Sequence, residues 1–114
     1  MQLNSYIKLA DLFAAVKAKQ DRTQSYTVYW HKNGPDPELD DRVLIAEPSG
    51  VDETESEDVM PTMVAAKGWW ICIYDYVLQD VINLAMRQKP LASDAELLHC
   101  LRYYEQNDTF INLV

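Results

Sequence analysis

One stretch of the chain, from Asp36 to Asp58, holds ten acidic residues and a single basic one, Arg42. Its formal charge is −9, whereas that of the whole 114-residue chain is −8, so everything outside it sums to +1. Ionised carboxylates are almost never buried without partners, so most of this stretch must face solvent. The ten acids are Asp36, Glu38, Asp40, Asp41, Glu47, Asp52, Glu53, Glu55, Glu57 and Asp58.

This charge distribution limits the partners that the chain can have. A concentrated negative surface attracts cations and basic proteins, and it repels nucleic acids and anionic membranes. The three glycines, Gly34, Gly50 and Gly68, are isolated, so there is no glycine-rich loop for a nucleotide phosphate. We therefore expect a basic protein partner, no nucleic acid, no membrane and no cofactor.

Length and composition predict one globular domain over residues 1–114, with an acidic loop region at 36–58. The first four residues lack the basic and apolar parts of a signal peptide. The most apolar run, from Gly68 to Leu78, is shorter than a membrane-spanning helix and contains Asp75. We expect a cytoplasmic protein.

Hydrophobic periodicity predicts a helix and then a hairpin in the first half of the chain. An apolar stripe at i, i+3, i+4 and i+7 indicates a helix from about Lys8 to Gln20, capped by Asn4 or Ser5. Aromatic and β-branched residues in alternation predict a strand from Tyr26 to His31. A second strand, from Arg42 to Glu47, would pair with it through a long acidic connection. The helical stripe consists of Leu9, Leu12, Phe13 and Val16.

The second half begins with a segment of low hydrophobicity. From Ser49 to Pro61 there is no hydrophobic period, which predicts a loop. The run Trp69 to Tyr74 fits a buried strand or the first turns of a helix, and we favour the strand. A helical period then starts at Asp75 and must end before Pro90.

A last helix is indicated by Ser93 and Glu96, which have the spacing of a capping box, and it should end at Asn107-Asp108. Its inner face would carry Leu97, Leu98, Leu101 and Tyr104. The predicted fold is α+β, a small antiparallel sheet packed against about three helices in the order α-β-β-β-α-α. A final strand between Thr109 and Val114 is left open.

The acidic residues raise the question of a calcium site, which their spacing does not support. Asp36, Glu38, Asp40, Val43 and Glu47 fall at positions 1, 3, 5, 8 and 12 of a helix-loop-helix calcium loop. However, position 6 holds Asp41 where a sharp turn needs glycine, and the flanks are predicted strands. The acids from Asp52 to Asp58 would have to order a loop before they held an ion. We assign no metal ligand.

No catalytic constellation appears in the sequence. His31 and His99 belong to different predicted elements, and no Ser/His/Asp or Cys/His geometry follows from their positions. Cys72 and Cys100 lack zinc-site spacing and are interpreted as reduced core residues. We therefore expect a protein that is not an enzyme and assign no catalytic residue.

The chain is rich in aromatic residues, with seven Tyr and three Trp. Most of them are expected to pack in and around the core. Because Trp and Tyr also dominate the energetic centres of protein interfaces, some of them are candidates for partner contact. We include Trp30, which precedes the acidic connection, among the candidate partner-binding residues together with the ten acids.

The last third of the chain, from Asp80 to Ile111, combines several recognisable parts. It contains the run Asp-Val-Ile-Asn-Leu-Ala-Met-Arg-Gln-Lys-Pro, the capped helix, the pair Tyr103-Tyr104 and the ending Asp108-Thr-Phe-Ile. This combination resembles small bacterial immunity proteins of contact-dependent growth inhibition and polymorphic toxin systems. The resemblance implies a cytoplasmic antitoxin without enzymatic activity, which binds the toxin domain of its cognate effector. Toxins of this class are often basic nucleases.

An acidic inhibitor would imitate the phosphate backbone and accelerate association with such a toxin. We expect Asp36 to Asp41, beside predicted strands, to make specific contacts, and Asp52 to Asp58 to supply long-range attraction. Two alternatives stay open. One is an acidic interaction domain or DNA-mimic inhibitor, and the other is a divalent-metal-binding protein or small enzyme subunit.

Overall fold

The computed structural model describes residues 2–31, 34–48, 50–51, 58–59 and 67–110. These residues form an α+β fold, as predicted: a four-stranded antiparallel sheet with three helices against one face. The sheet contains β1 (Ser5–Lys8), β2 (Thr27–His31), β3 (Arg42–Ala46) and β6 (Trp69–Tyr74), and the helices are α1 (Leu9–Lys17), α2 (Asp75–Gln88) and α3 (Asp94–Asn107). The strands β4 (Gly50–Val51) and β5 (Asp58–Val59) form a separate two-stranded ladder.

The strand order of the sheet is β1-β3-β2-β6, with antiparallel pairing throughout. The predicted hairpin is confirmed, since Thr27 of β2 lies opposite Ala46 of β3. Between β2 and β6 the register shifts: Val28 lies opposite Ile73 but Tyr29 lies opposite Ile71. The shift leaves Cys72 of β6 opposite no residue, a β-bulge of the kind that re-aims side chains beside a site.

The core lies between the sheet and the helices, where the four residues of the predicted α1 stripe are all buried. Full burial of a side chain of this size contributes about 1.5–3 kcal/mol, so this stripe is a major part of the fold's stability. The opposite face of the sheet carries a second buried cluster. The first cluster includes Val28, Val43, Ile45, Ile73, Leu78, Ile82, Leu97 and Leu101, and the second consists of Tyr29, Leu44 and Ala46.

The prediction for the beginning of the chain was wrong in two respects. Residues Ser5–Lys8 form a strand, β1, in which Ser5 lies opposite Ile45, so neither Asn4 nor Ser5 caps α1. The helix is also shorter than predicted and spans Leu9–Lys17. Four residues show too little periodicity to identify a strand, and β1 forms because it can pair with the edge of β3.

The later elements largely follow the predictions. Trp69–Tyr74 is a strand, α2 ends before Pro90, and Ser93 and Glu96 form both hydrogen bonds of the capping box of α3. The loop predicted from Ser49 to Pro61 is wrong where β4 pairs with β5, because main-chain pairing needs no hydrophobic period. The other positions of this predicted loop lie outside the described residues.

Two remaining predictions concern the chain end and the membrane. Thr109 and Phe110 are not in a strand, and positions 111–114 lie outside the described residues. Asp108 ends α3 in the left-handed conformation, with φ of 53°, as the predicted stop at Asn107-Asp108 requires. Among the residues that the structure describes, no helix has the length and apolar character needed to cross a membrane.

Candidate functional site

The acidic segment, Asp36–Asp41, connects β2 to β3 and caps the start of α1 with its backbone. The N–H groups of Leu9 and Ala10 donate to the carbonyl oxygens of Asp41 and Leu39, both at 3.0 Å. The first N–H groups of a helix have no partner within it, and α1 has no side-chain cap. The path of the acidic segment is therefore set by the position of α1.

Arg102 of α3 holds the middle of the acidic segment. Its guanidinium donates to the carbonyl oxygen of Pro37 at 3.2 Å and to Oε1 of Glu38 at 2.9 Å. Pro37 is buried, and Leu39 packs against the core from the same segment. Because α1 and α3 both hold it, the segment is part of the folded core's surface and not a loose connection.

Two of the four acids in the segment have structural partners. Glu38 pairs with Arg102, and Oδ2 of Asp41 accepts the N–H of Glu38 at 2.8 Å. Asp36 and Asp40 are exposed, and neither forms a hydrogen bond or ion pair within the described part of the chain. These two carboxylates are the ones that the segment presents to solvent at fixed positions.

Of the predicted acids outside the acidic segment, the structure describes two, which lie after β3 and in β5. Glu47 is exposed but lies beyond β3, six residues from Asp41, or about 20 Å at the rise of an extended strand. Its carbonyl oxygen accepts the hydroxyl of Tyr29 at 2.6 Å. Asp58 belongs to β5, opposite Val51. The remaining candidates, Asp52, Glu53, Glu55 and Glu57, lie outside the described residues.

A cavity of about 170 Å³ opens beside the acidic segment, at the end of β2. It brings together two predicted candidates, Trp30 and Asp36, with residues that the sequence analysis did not select. Its size is below the roughly 300 Å³ at which pockets for drug-sized ligands begin. We call it the aromatic cavity, and it is lined by Trp30, His31, Gly34, Asp36, Trp70, Ile71, Cys72 and Glu105.

Glu105 of α3 is the most perturbed carboxyl group in this cavity. Partial burial raises its pKa to about 7, and the nearby Asp36 adds to this effect while Arg102 opposes it. The residue as a whole is exposed, but it lines the cavity, and its carboxyl group is partly desolvated. Within the described residues no hydrogen bond stabilises its ionised form. Near neutral pH, Glu105 therefore divides between protonated and ionised forms.

A sequence signal for Glu105 exists but was not used. Leu98, Leu101 and Glu105 follow the spacing i, i+3 and i+7, so Glu105 continues the stripe that turns towards the sheet. Leu98 and Leu101 are buried. A charged residue that continues a buried stripe marks either the edge of the core or a site, and this pattern could have identified Glu105.

The thiol in the cavity is poorly suited to nucleophilic chemistry. Burial raises the pKa of Cys72 to about 12, with further contributions from Glu105 and Asp36. The thiolate is the reactive form, so Cys72 is inert near neutral pH. Burial also raises the pKa of Cys100, and both cysteines are free, in keeping with the interpretation that they are reduced packing residues.

Ring packing fixes the aromatic wall of the cavity. The rings of Trp30 and His31 lie 4.6 Å apart, and Trp69 lies 5.5 Å from Trp30 and 4.8 Å from His31, measured between centroids. The indole Nε1–H of Trp30 also donates to the carbonyl oxygen of Pro35 at 2.8 Å. Trp30 is therefore held by β2, by β6 and by the chain just before the acidic segment.

No group of three or more His, Cys, Asp or Glu side chains within the described ranges is placed to hold a metal ion. In the proposed calcium-loop spacing, Glu38 pairs with Arg102 and Val43 is buried in β3.

The fold and this surface define a small α+β domain with an anchored acidic segment beside an aromatic cavity. A family model, the domain of unknown function DUF7716, matches residues 6–113. The chain belongs to this family. No curated protein and no solved structure matches the chain.

Proposed function

We propose that this protein is a non-enzymatic immunity protein that binds and neutralises a cognate basic toxin domain of the nuclease type. The observation that carries this proposal is the fixed presentation of Asp36 and Asp40 on a backbone held by α1 and Arg102. Charges held in place lose little conformational entropy when a partner binds, so more of their attraction appears as affinity.

The electrostatics around the acidic segment also favour a specific orientation of the partner. The segment ends where Arg42 begins β3, opposite Lys8 of β1. A basic partner is therefore attracted to the acidic segment and repelled from the adjacent Arg42 and Lys8. Such complementarity raises the association rate and suppresses incorrect docking.

The chemistry of the aromatic cavity favours binding over catalysis. Its thiol, Cys72, is protonated near neutral pH because burial raises its pKa. Its aromatic rings are of the kind that dominate the centres of protein interfaces. The cavity and the acidic segment adjoin through Asp36, so one partner can cover both.

The proposal is tested by co-expression with the toxin encoded immediately upstream, with bacterial growth as the measurement. The wild-type chain should restore growth. The double variant Asp36→Asn/Asp40→Asn should associate with the purified toxin at least about tenfold more slowly at low salt, and its rate should depend less on salt concentration. We expect the fold to be unchanged, because neither carboxylate has a structural partner within the described residues.

A matched control is the double variant Asp80→Asn/Asp108→Asn, which removes the same charge from exposed positions outside the segment. Its association rate should remain close to that of the wild type. Absence of growth rescue by the wild-type chain would refute the immunity function. Equal slowing by both double variants would show that net charge, and not the acidic segment, controls association.

A further inference from the structure

The aromatic cavity has the dimensions of a site for one side-chain end and not for a nucleotide-sized ligand. Its volume is about 170 Å³. One water molecule occupies about 30 Å³ in the liquid, so the cavity has room for several waters. Nucleotides and most cofactors need pockets of about 300 Å³ or more. The planar end of a long side chain fits this space.

The charge of the cavity selects a cation. Asp36 enters the wall from the acidic segment and Glu105 from α3, and the charge of Asp36 disfavours the ionised form of Glu105. Among the described residues, Arg102 is the cation that acts on Glu105, and it directs its guanidinium to Pro37 and Glu38. An anionic group would meet two carboxylates, whereas a cation would relieve their repulsion.

The aromatic wall selects a flat, delocalised cation. Trp30 is held in place by its hydrogen bond to Pro35 and by its neighbouring rings. Guanidinium groups stack on indole faces and are more weakly hydrated than ammonium groups, so they enter such a cavity at lower cost. Their planar donors also match carboxylate oxygens in a bidentate geometry.

We propose that the aromatic cavity receives the guanidinium group of an arginine side chain from the partner protein, with Asp36 and Glu105 as its acceptors and Trp30 as its stacking surface. This inference rests on the proposed function for the source of the arginine. It goes further by naming the residue type that the partner inserts and the groups that recognise it.

Proton release should accompany this binding. A guanidinium beside Glu105 favours the ionised carboxylate, whose pKa is about 7 in the free protein because of burial and Asp36. Within the described part of the chain, the other titratable or charged groups around Glu105 are Arg102 on its own helix, Cys72 on β6 and His31 of β2, which lines the same cavity. Binding should therefore be tighter at pH 8 than at pH 6.

The test uses the isolated full chain and a small probe, N-acetyl-arginine amide, titrated to tens of millimolar. Its neutral urea analogue, N-acetyl-citrulline amide, is the matched control. We expect the arginine probe to cause saturable NMR shifts of the indole N–H signals of Trp30 and Trp70, and the citrulline probe to cause none. If only the ionised form of Glu105 binds, the association constant should be about tenfold higher at pH 8 than at pH 6.

Variants assign the effect to particular groups. Glu105→Gln should weaken binding and remove the pH dependence, which separates Glu105 from the imidazole of His31. Asp80→Asn, which removes a charge from an exposed position outside both the cavity and the acidic segment, should leave the shifts nearly unchanged. Retention of the pH dependence in Glu105→Gln would overturn the role of this carboxyl group.

The outcome is independent of the growth experiment. No saturable shift at pH 8, or equal shifts with both amides, would overturn the guanidinium site even if the chain rescued growth. Conversely, a selective arginine site without growth rescue would leave the cavity assignment intact and refute the immunity function alone.

Discussion

The two ends of β2 lie beside carboxyl groups in very different environments. At the Thr27 end, Asp21 is completely buried, and its Oδ2 accepts the hydroxyl of Tyr26 at 2.6 Å and the amide of Gln79 at 2.9 Å. At the His31 end, Glu105 lines an open cavity with no such donors in the described part of the chain. Oδ2 of Asp21 accepts two hydrogen bonds within the fold, while its Oδ1 is buried without a hydrogen-bond partner. The carboxyl group of Glu105 accepts none from the described residues and is left to a ligand.

This difference shows how the same chemical group serves structure or binding. Asp21 connects the turn after α1 to β2 and α2 through its donors, and Asp75 reinforces the connection by accepting the N–H of Tyr26 at 3.2 Å. Burial together with the contact to Asp21 raises the pKa of Tyr26, so its hydroxyl remains a donor. A carboxylate that accepts hydrogen bonds from the protein stabilises the fold, whereas one without such donors can still accept hydrogen bonds from a ligand.

The largest effect on stability is expected when Asp21, at the Thr27 end of β2, is replaced. Asp21→Ala should lower the free energy of unfolding by about 3 kcal/mol, because the buried Tyr26 hydroxyl and the half-buried Gln79 amide lose their charged acceptor. Urea unfolding followed by circular dichroism measures this loss. The exposed variant Asp80→Ala should change stability by less than about 0.5 kcal/mol. A loss below about 1 kcal/mol for Asp21→Ala would contradict the structural role.

An intermediate effect is expected when the acidic segment loses its attachment to α3. Arg102→Met should cost about 1.5 kcal/mol, since it removes hydrogen bonds to Pro37 and Glu38. Lys17→Met is the matched control, because the Lys17 side chain is similarly exposed and, among the described residues, its ion pair is with Asp94 on the surface. It should cost less than about 0.5 kcal/mol.

Hydrogen exchange separates these two variants further. The amides of Leu9 and Ala10 bond to the acidic segment, so their exchange should accelerate in Arg102→Met and not in Lys17→Met. Unchanged exchange at both amides in Arg102→Met would show that α1 alone holds the segment.

The smallest effect on stability is expected for Glu105, at the His31 end of β2, and here the substitution should stabilise the protein. The pKa of Glu105 is raised from 4.5 to about 7, so the folded chain binds more protons than the unfolded chain between these values. Stability from this group is present below pH 4.5 and is lost as the pH rises through 7. Glu105→Gln should therefore stabilise the protein at pH 8 by about 1 kcal/mol, a value reduced by solvent screening, and by almost nothing at pH 4.5.

The control for this measurement is Asp80→Asn, whose effect on stability should be similar at both pH values. Thermal or urea unfolding at pH 4.5 and pH 8 provides the comparison. If Glu105→Gln were destabilising at pH 8, the carboxylate would have stabilising partners, and the contrast between the two ends of β2 would fail.

The elements that local patterns describe were predicted well. The α1 stripe, the separate strands β2 and β3, the strand Trp69–Tyr74 and the capping box at Ser93 all follow from spacing within a few residues. β1 was missed because it depends on pairing with β3, nearly forty residues away in sequence. Pairing between distant residues leaves little trace in a four-residue pattern.

The candidate site was predicted only in part. Asp36 and Trp30 were selected from charge and aromatic content, and both line the cavity. Glu105 and Cys72 reach the same cavity from α3 and β6, and the sequence contains no short spacing that joins them to Asp36. Glu38 and Asp41 were predicted to contact a partner but have structural hydrogen bonds, since Arg102 and the backbone of the segment engage them.

The sequence by itself determined the α+β class, the main helices and strands, and the concentration of negative charge between Asp36 and Asp58. These properties depend on local periodicity, capping and composition, which neighbouring residues specify among themselves. Only the tertiary structure decided which carboxyl groups are satisfied and which remain available. Hydrogen bonding and desolvation depend on side chains from distant segments, as the contrast between Asp21 and Glu105 shows.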